Sequence, residues 1–209
     1  MGRPGLPEEK RVPGLQAARK SLARYITGPV VRLLSRTPIT PNTLTVCSLL
    51  IAIIAAVLVA LEYFIAAGLV MLFASFFDIL DGALARSTNR VTKFGGALDS
   101  SLDRLAEAVI FIGLMVVYAG SQSIYGVALA GIALVSSLMV SYVRARAEGL
   151  GVDCQVGIFT RAERIAVIVI GLLLARFSWA LTAALIVIIV FSSVTVCQRL
   201  YHIWKNTRT

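Results

Sequence analysis

Four aspartates, Asp78, Asp81, Asp99 and Asp103, stand in the stretch 77-FDILDGALARSTNRVTKFGGALDSSLDRLAE-107. Its flanks, 64-FIAAGLVMLFASF-76 and 108-AVIFIGLMVVYAG-120, are apolar enough to dissolve in lipid. On a helix Asp78, Asp81, Gly82 and Ala85 fall at i, i+3, i+4 and i+7 and share one face. Gly95, Asp99 and Asp103 follow at i, i+4 and i+8, again on one face. Two antiparallel helices so patterned present two carboxylates each to a common space, and Gly82, Ala85 and Gly95 leave room there for a ligand. An ionised Asp within a span costs about 2.5–3.5 kcal/mol on insertion scales, and four like charges add mutual repulsion. Arg86 and Arg104 are too few to compensate. Two divalent cations balance four carboxylates, and an all-oxygen ligand set suits Mg²⁺ or Mn²⁺ over zinc. Two other readings compete. The acids could be helix-end charges paired with Arg86, Arg104 or Lys93, or they could line a cation pathway. Small residues beside the acids and arginines on the same side speak against a pathway.

The elements that must carry these residues are membrane helices. The chain has 209 residues, 58% hydrophobic and 15% charged, and its mean hydropathy is +0.85. Soluble domains are far more polar, so the expected class is an all-α integral membrane protein. A span needs about 20 mainly apolar residues, and six candidates appear, at roughly 42–62, 64–86, 95–119, 123–146, 160–176 and 178–200. Short linkers make neighbouring spans antiparallel. With the N-terminus in the cytoplasm, the bases from Arg3 to Arg36, Arg86, Arg90, Lys93, Arg144, Arg146, Arg161, Arg164, Arg199, Lys205 and Arg208 all fall at cytoplasmic ends. Only Arg176 breaks the pattern. An even number of spans returns the C-terminus to the cytoplasm, which places the site at the inner face of the cell membrane. The net charge of +9 is thus assigned to anionic lipid and not to nucleic acid.

Ahead of the spans, residues 1–14 read as a flexible tail with neither a signal peptide nor a myristoylation pattern. Residues 15–36 read as a basic amphipathic helix lying in the interface, broken near Gly28-Pro29. Residues 37–209 make the six-span domain. Cys47, Cys154 and Cys197 are scattered and read as small apolar residues. His202 reads as a solvated interfacial residue, and Trp179, Trp204, Tyr118 and Tyr201 as aromatic-belt anchors.

The pattern Asp78-x2-Asp81-Gly82-x2-Ala85-Arg86-x8-Gly95-x3-Asp99-x3-Asp103 resembles the complete signature of the CDP-alcohol phosphotransferases. The resemblance extends to the six-span layout, the interfacial N-terminal helix and 41-PNTLT-45. It implies an integral membrane enzyme that joins an alcohol to the phosphate of a CDP-linked lipid and releases CMP, commonly as a homodimer. It further implies that Asp78, Asp81 and Asp99 hold one metal and Asp78, Asp99 and Asp103 a second. Asp103 would also be the base for the attacking hydroxyl. Gly82, Ala85, Arg86 and Gly95, with Asp78, would line the CDP site, and Asn42, Thr45 and Thr92 are further candidates for it. A non-catalytic Mg²⁺-binding transporter that keeps the layout is the alternative of a different class. The presence of Asp103 argues against it.

The acceptor is read elsewhere. Ser141 and Arg144 stand at i, i+3 in 141-SYVRARAEGLG-151, Arg161 opens the fifth span and Arg199 closes the sixth. Arginine binds phosphate in a bidentate manner, so a phosphorylated alcohol is expected, although the positive-inside rule alone also places bases there. The set resembles the acceptor pocket of prokaryotic phosphatidylinositol-phosphate synthases, which often carry Lys where this chain has Arg144. That implies CDP-diacylglycerol and inositol 1-phosphate as substrates, with glycerol 3-phosphate, or an ether-lipid equivalent, as the runner-up.

Overall fold

The computed structural model describes residues 28–208. The expected tail 1–14 and residues 15–27 of the expected interfacial helix lie outside that range. Among the described residues the fold is all helix, with no strand. Residues 28–34 form a short helix, α1. Six longer helices follow: α2 Pro41–Ala60, α3 Phe64–Ser87, α4 Lys93–Gly120, α5 Ile124–Gly149, α6 Arg161–Leu173 and α7 Ala180–Asn206. They match the six expected spans to within a few residues, except the last, which runs on to Asn206.

The helix starts follow from local chemistry. Thr40 caps α2 by accepting the Thr43 amide, with Pro41 in the first turn. Thr92 accepts the Gly95 amide at 2.9 Å to cap α4, and Ser123 accepts that of Gly126 to cap α5. At α6 the Thr160 amide donates to Glu163 at 2.8 Å, half of a capping box. Hairpin turns close through left-handed residues, Glu62 after α2 and Gln122 after α4.

Packing runs in a closed circuit, α2 against α3, α3 against α6, α6 against α7, α7 against α5, α5 against α4, and α4 back to α2. Small residues fill the centre: Ala55, Ala67, Ala130 and Ala133 are fully buried. A Cβ on Gly113 would lie 2.7 Å from the Ala56 carbonyl, so α4 meets α2 almost backbone to backbone, as small residues permit in membrane helices. Phe111, Ile110, Leu172, Leu185 and Ile188 are buried with those alanines, while Leu50, Ile54, Leu69, Ile112 and Ile132 lie exposed. Such an apolar exterior suits lipid. α2, α3, α5 and α7 are long and apolar enough to cross a membrane, and the protein is a multi-pass membrane protein. α4 carries Asp103, Arg104 and Glu107 along its length, and α6 has only 13 helical residues.

Tyr118 departs from its expected role at the belt. It faces inward, its hydroxyl 3.3 Å from the Thr182 hydroxyl and its ring filling the space a Cβ on Gly126 would need. Trp179, Trp204 and Tyr201 are exposed. His202 contacts the Asp153 carbonyl through Nε2 at 3.1 Å. Cys154 is buried, whereas Cys197 is exposed.

Candidate active site

The C-terminal half of α3 and the N-terminal half of α4 bring the acids together. Asp78, Asp99 and Asp103 each offer an oxygen within 4.8 Å of the others. Asp81, on the same face of α3, stands slightly apart from the other three, drawn toward α2. There its Oδ2 accepts the Thr45 hydroxyl at 2.6 Å in a buried contact. Behind Asp81, Leu80 and Leu84 pack with Leu44 and with Val31 of α1, which anchors that turn of α3. The donor set is all carboxylate oxygen, and Asp78 Oδ1 is buried with no hydrogen-bond partner. Such oxygens fit hard divalent cations.

Two cavities flank these acids. One, of about 270 Å³, lies between the starts of α2 and α4 and the end of α3. It is lined by Asn42, Thr45, Asp81, Gly82, Ala85, Arg86, Thr92 and Gly95. Every residue expected at the CDP site reaches it except Asp78. Its glycines make room for polar neighbours. A Cβ on Gly82 would lie 3.2 Å from Arg86 Nη1, and one on Gly95 would lie 2.9 Å from Thr92 Oγ1 and 3.3 Å from Asn42 Oδ1.

The second cavity, of about 460 Å³, opens between α4, α5, α6 and α7. All four residues expected at the acceptor site, Ser141, Arg144, Arg161 and Arg199, line it, together with Asp99, Asp103, Arg104 and Arg164. Asp99 borders both cavities. Arg144 is half exposed and pairs with Glu148 one turn away at 2.9 Å. Arg199 is 3% exposed, and backbone carbonyls hold it: Nε donates to Val156 at 2.9 Å and Nη1 to Val140. Its position therefore depends on the α5–α6 loop, which the Phe159 amide ties to Thr195 of α7 at 3.1 Å.

Gly157 makes that loop possible. Its φ of +124° is strained for any side chain, and a Cβ would lie 2.6 Å from the Thr195 methyl and 3.3 Å from Arg199 Nε. Strain of this kind costs of order 1–3 kcal/mol. In Gly157→Ala the loop and Arg199 must shift together. A loss of about 1.4 kcal/mol in one phosphate contact is tenfold, so KM for the acceptor is expected to rise by about that factor with kcat nearly unchanged. Steady-state kinetics check this, and an unaltered acceptor KM would remove Arg199 from the acceptor site.

Two contacts escaped the sequence pattern. Arg161 Nη1 pairs with Asp78 at 2.8 Å and Asp103 at 2.7 Å, whereas the competing ion-pair reading named Arg86, Arg104 or Lys93. Deeper in, Arg164 and Glu107 form a buried two-point pair, Nε to Oε1 at 2.6 Å and Nη2 to Oε2 at 2.8 Å. The signal was present, since Asp103 and Glu107 are i, i+4 and Arg161 and Arg164 are i, i+3. It pointed to no particular partner helix until α6 was placed.

A carboxylate cluster set between two such cavities points to a class of enzyme, and comparison with known proteins identifies it. Residues 38–195 match the family model for CDP-alcohol phosphatidyltransferases. The chain belongs to the CDP-alcohol phosphatidyltransferase family. It is a transferase, and its Asp78, Asp99 and Asp103 form a group that could hold a metal ion. It is 46% identical over 144 residues to an archaetidylinositol phosphate synthase of Methanothermobacter thermautotrophicus, covering 68% of this chain and 71% of that one. Its fold resembles the crystal structure of Mycobacterium tuberculosis phosphatidylinositol phosphate synthase with CDP-DAG bound. The TM-score is 0.81 at 31% identity, over 86% of this chain and 94% of the other. The crystal structure of that synthase in complex with manganese and citrate gives a TM-score of 0.79, also at 31% identity, over 85% and 88% of the two chains.

Proposed function

We propose that the chain transfers the phosphatidyl group of CDP-diacylglycerol to inositol 1-phosphate, giving phosphatidylinositol phosphate and CMP. The observation that carries this reading is the meeting of two cavities at Asp99, one holding the residues expected to bind the nucleotide lipid and one lined by five arginines. Arg161 and Arg164 are paired with carboxylates, but the hydrogen bonds of Arg199 go to backbone carbonyls, which leave its charge for an anion. Guanidinium groups grip phosphate with paired donors. The related synthases differ in their lipid, archaetidyl or phosphatidyl, but share inositol phosphate in their names. That common part favours inositol 1-phosphate over glycerol 3-phosphate.

In this reading Asp78, Asp81 and Asp99 hold one cation, and Asp78, Asp99 and Asp103 the other. When bound, such a pair neutralises the diphosphate and clamps its oxygens. Asn42, Thr45 and Thr92 position the nucleotide, and Gly82, Ala85 and Gly95 keep its cavity open. Arg86 stabilises charge on the departing CMP. Arg144, Arg161, Arg199 and Ser141 hold the acceptor's phosphate. Asp103, on the acceptor side, takes the proton of the attacking hydroxyl. That oxygen bonds to the lipid-side phosphorus while the bond to the CMP oxygen breaks and CMP leaves with the electron pair. We further propose six spans in one domain over 37–209, with α4 and α6 completing the set. The termini and site face the cytoplasm at the inner membrane, and the chain acts as a homodimer.

Purified protein supplied with CDP-diacylglycerol and Mg²⁺ is expected to release CMP when inositol 1-phosphate is added. Release with glycerol 3-phosphate alone would transfer the acceptor to the runner-up. No release with any phosphorylated polyol would defeat the reading.

A further inference from the structure

Arg161 sits at a point where two demands conflict. Its Nη1 lies 2.8 Å from Asp78 Oδ2 and 2.7 Å from Asp103 Oδ2, and both residues belong to the carboxylate cluster suited to a divalent cation. The same side chain lines the arginine-rich cavity. Its Nε is buried with no hydrogen-bond partner, so the guanidinium is not fully satisfied where it stands. A cation ligated by Asp78 and Asp103 would share those carboxylates with Arg161, and the like charges repel at such range. Two dications already balance four carboxylates. Arg161 then becomes a surplus positive charge on a wall shared with Arg144 and Arg199, which raises its demand for an anion.

We infer that Arg161 is shared between the carboxylate cluster and the acceptor's phosphate, so that cation binding and acceptor binding assist each other. A cation that takes Asp78 and Asp103 releases the guanidinium toward the phosphate. A phosphate that draws the guanidinium away leaves those carboxylates to the cation. Thermodynamic linkage makes the two effects equal in size. The device favours charging the acceptor cavity only when the metal site is filled. Glu107 and Arg164 fix the next turn of α4 to the next turn of α6, so only the Arg161 side chain, and not the helix, needs to move. The inference rests on the proposed function for its phosphate, but its cation half stands on the ion pairs alone.

The test is Mn²⁺ binding to the purified protein in lipid nanodiscs, read by electron paramagnetic resonance, with and without inositol 1-phosphate. In the wild type the phosphate is expected to tighten Mn²⁺ by about fivefold or more, the lower end of usual couplings. Arg161→Gln is expected to bind Mn²⁺ several-fold tighter than wild type without any phosphate, and to lose the response to phosphate. Arg161→Lys keeps the charge and is expected to stay near wild type in Mn²⁺ affinity, which separates competition from damage to the fold. Equal or weaker Mn²⁺ binding in Arg161→Gln overturns the sharing, as does a phosphate response that survives unchanged in that variant. Wild type that binds Mn²⁺ without any effect of inositol 1-phosphate overturns the linkage but leaves the metal site standing. Wild type that binds no Mn²⁺ overturns both.

Discussion

Asp103→Asn is expected to lower turnover by at least about 10²-fold, up to the 10⁴-fold that a positioned base contributes, while binding of CDP-diacylglycerol changes little. The reason lies in which cavity each acid serves. Asp103 borders the arginine-rich cavity and not the one between α2, α3 and α4. Its side chain is 19% exposed, open enough to reach a hydroxyl and enclosed enough to hold a fixed direction. Asparagine keeps the shape and cannot accept the proton. It also removes one charge from the cluster, so Mn²⁺ binding should weaken as well. Single-turnover release of CMP, measured at saturating metal, separates the two effects. Calorimetry with the nucleotide lipid checks that the donor cavity is intact. A variant that turns over at the wild-type rate under those conditions would remove Asp103 as the base.

The regular parts of this molecule were open to sequence reading because lipid makes them regular. In a bilayer each backbone polar group must be satisfied within its own helix, so apolar runs of the right length become helices, and all six were placed to within a few residues except for the end of α7. The aspartates declared themselves because their spacing repeats at helical intervals and because charge in a span is costly. Partner choice was a different matter. Arg161 and Arg164 looked like ordinary bases at a cytoplasmic helix end, and the positive-inside rule accounts for such bases without any contact. Their pairing depends on α6 packing beside α3, which carries Asp78, with the same face turned to Asp103 and Glu107 of α4, a fact of topology that no local pattern encodes. Tyr118 misled for a similar reason. Its place near a span end suits a belt residue, yet the missing side chain at Gly126 on the next helix opens a slot that the ring fills. Arg199 was expected on the acceptor side, but its hold by the Val140 and Val156 carbonyls was not, because the α5–α6 loop carries no periodic signal.

Arg164→Met is expected to be among the most destabilising substitutions in the protein. The Arg164 side chain is fully buried and Glu107 is nearly so, and the two meet through both ends of the fork. Removing one member leaves a carboxylate without a partner in a place water does not reach. Breaking a buried pair in this way costs about 3–5 kcal/mol, whereas replacing both members with apolar groups is often neutral or stabilising. Arg164 Nη1 already lacks a partner, so the native pair is itself imperfect. The double variant Glu107→Leu with Arg164→Met should therefore regain most of the lost stability. Thermal unfolding in detergent of the wild type, the single variant and the double variant gives the cycle. A single variant no less stable than the double would show that the charge on Glu107 is not what the pair neutralises. Activity should not recover with stability. Arg164 also lines the arginine-rich cavity proposed for the acceptor, and its bond to Glu107 fixes α6 one turn beyond Arg161, so the double variant is expected to fold well and to bind the acceptor's phosphate poorly. A pair conserving only stability would leave acceptor KM at the wild-type value; a pair that positions the arginine wall raises it.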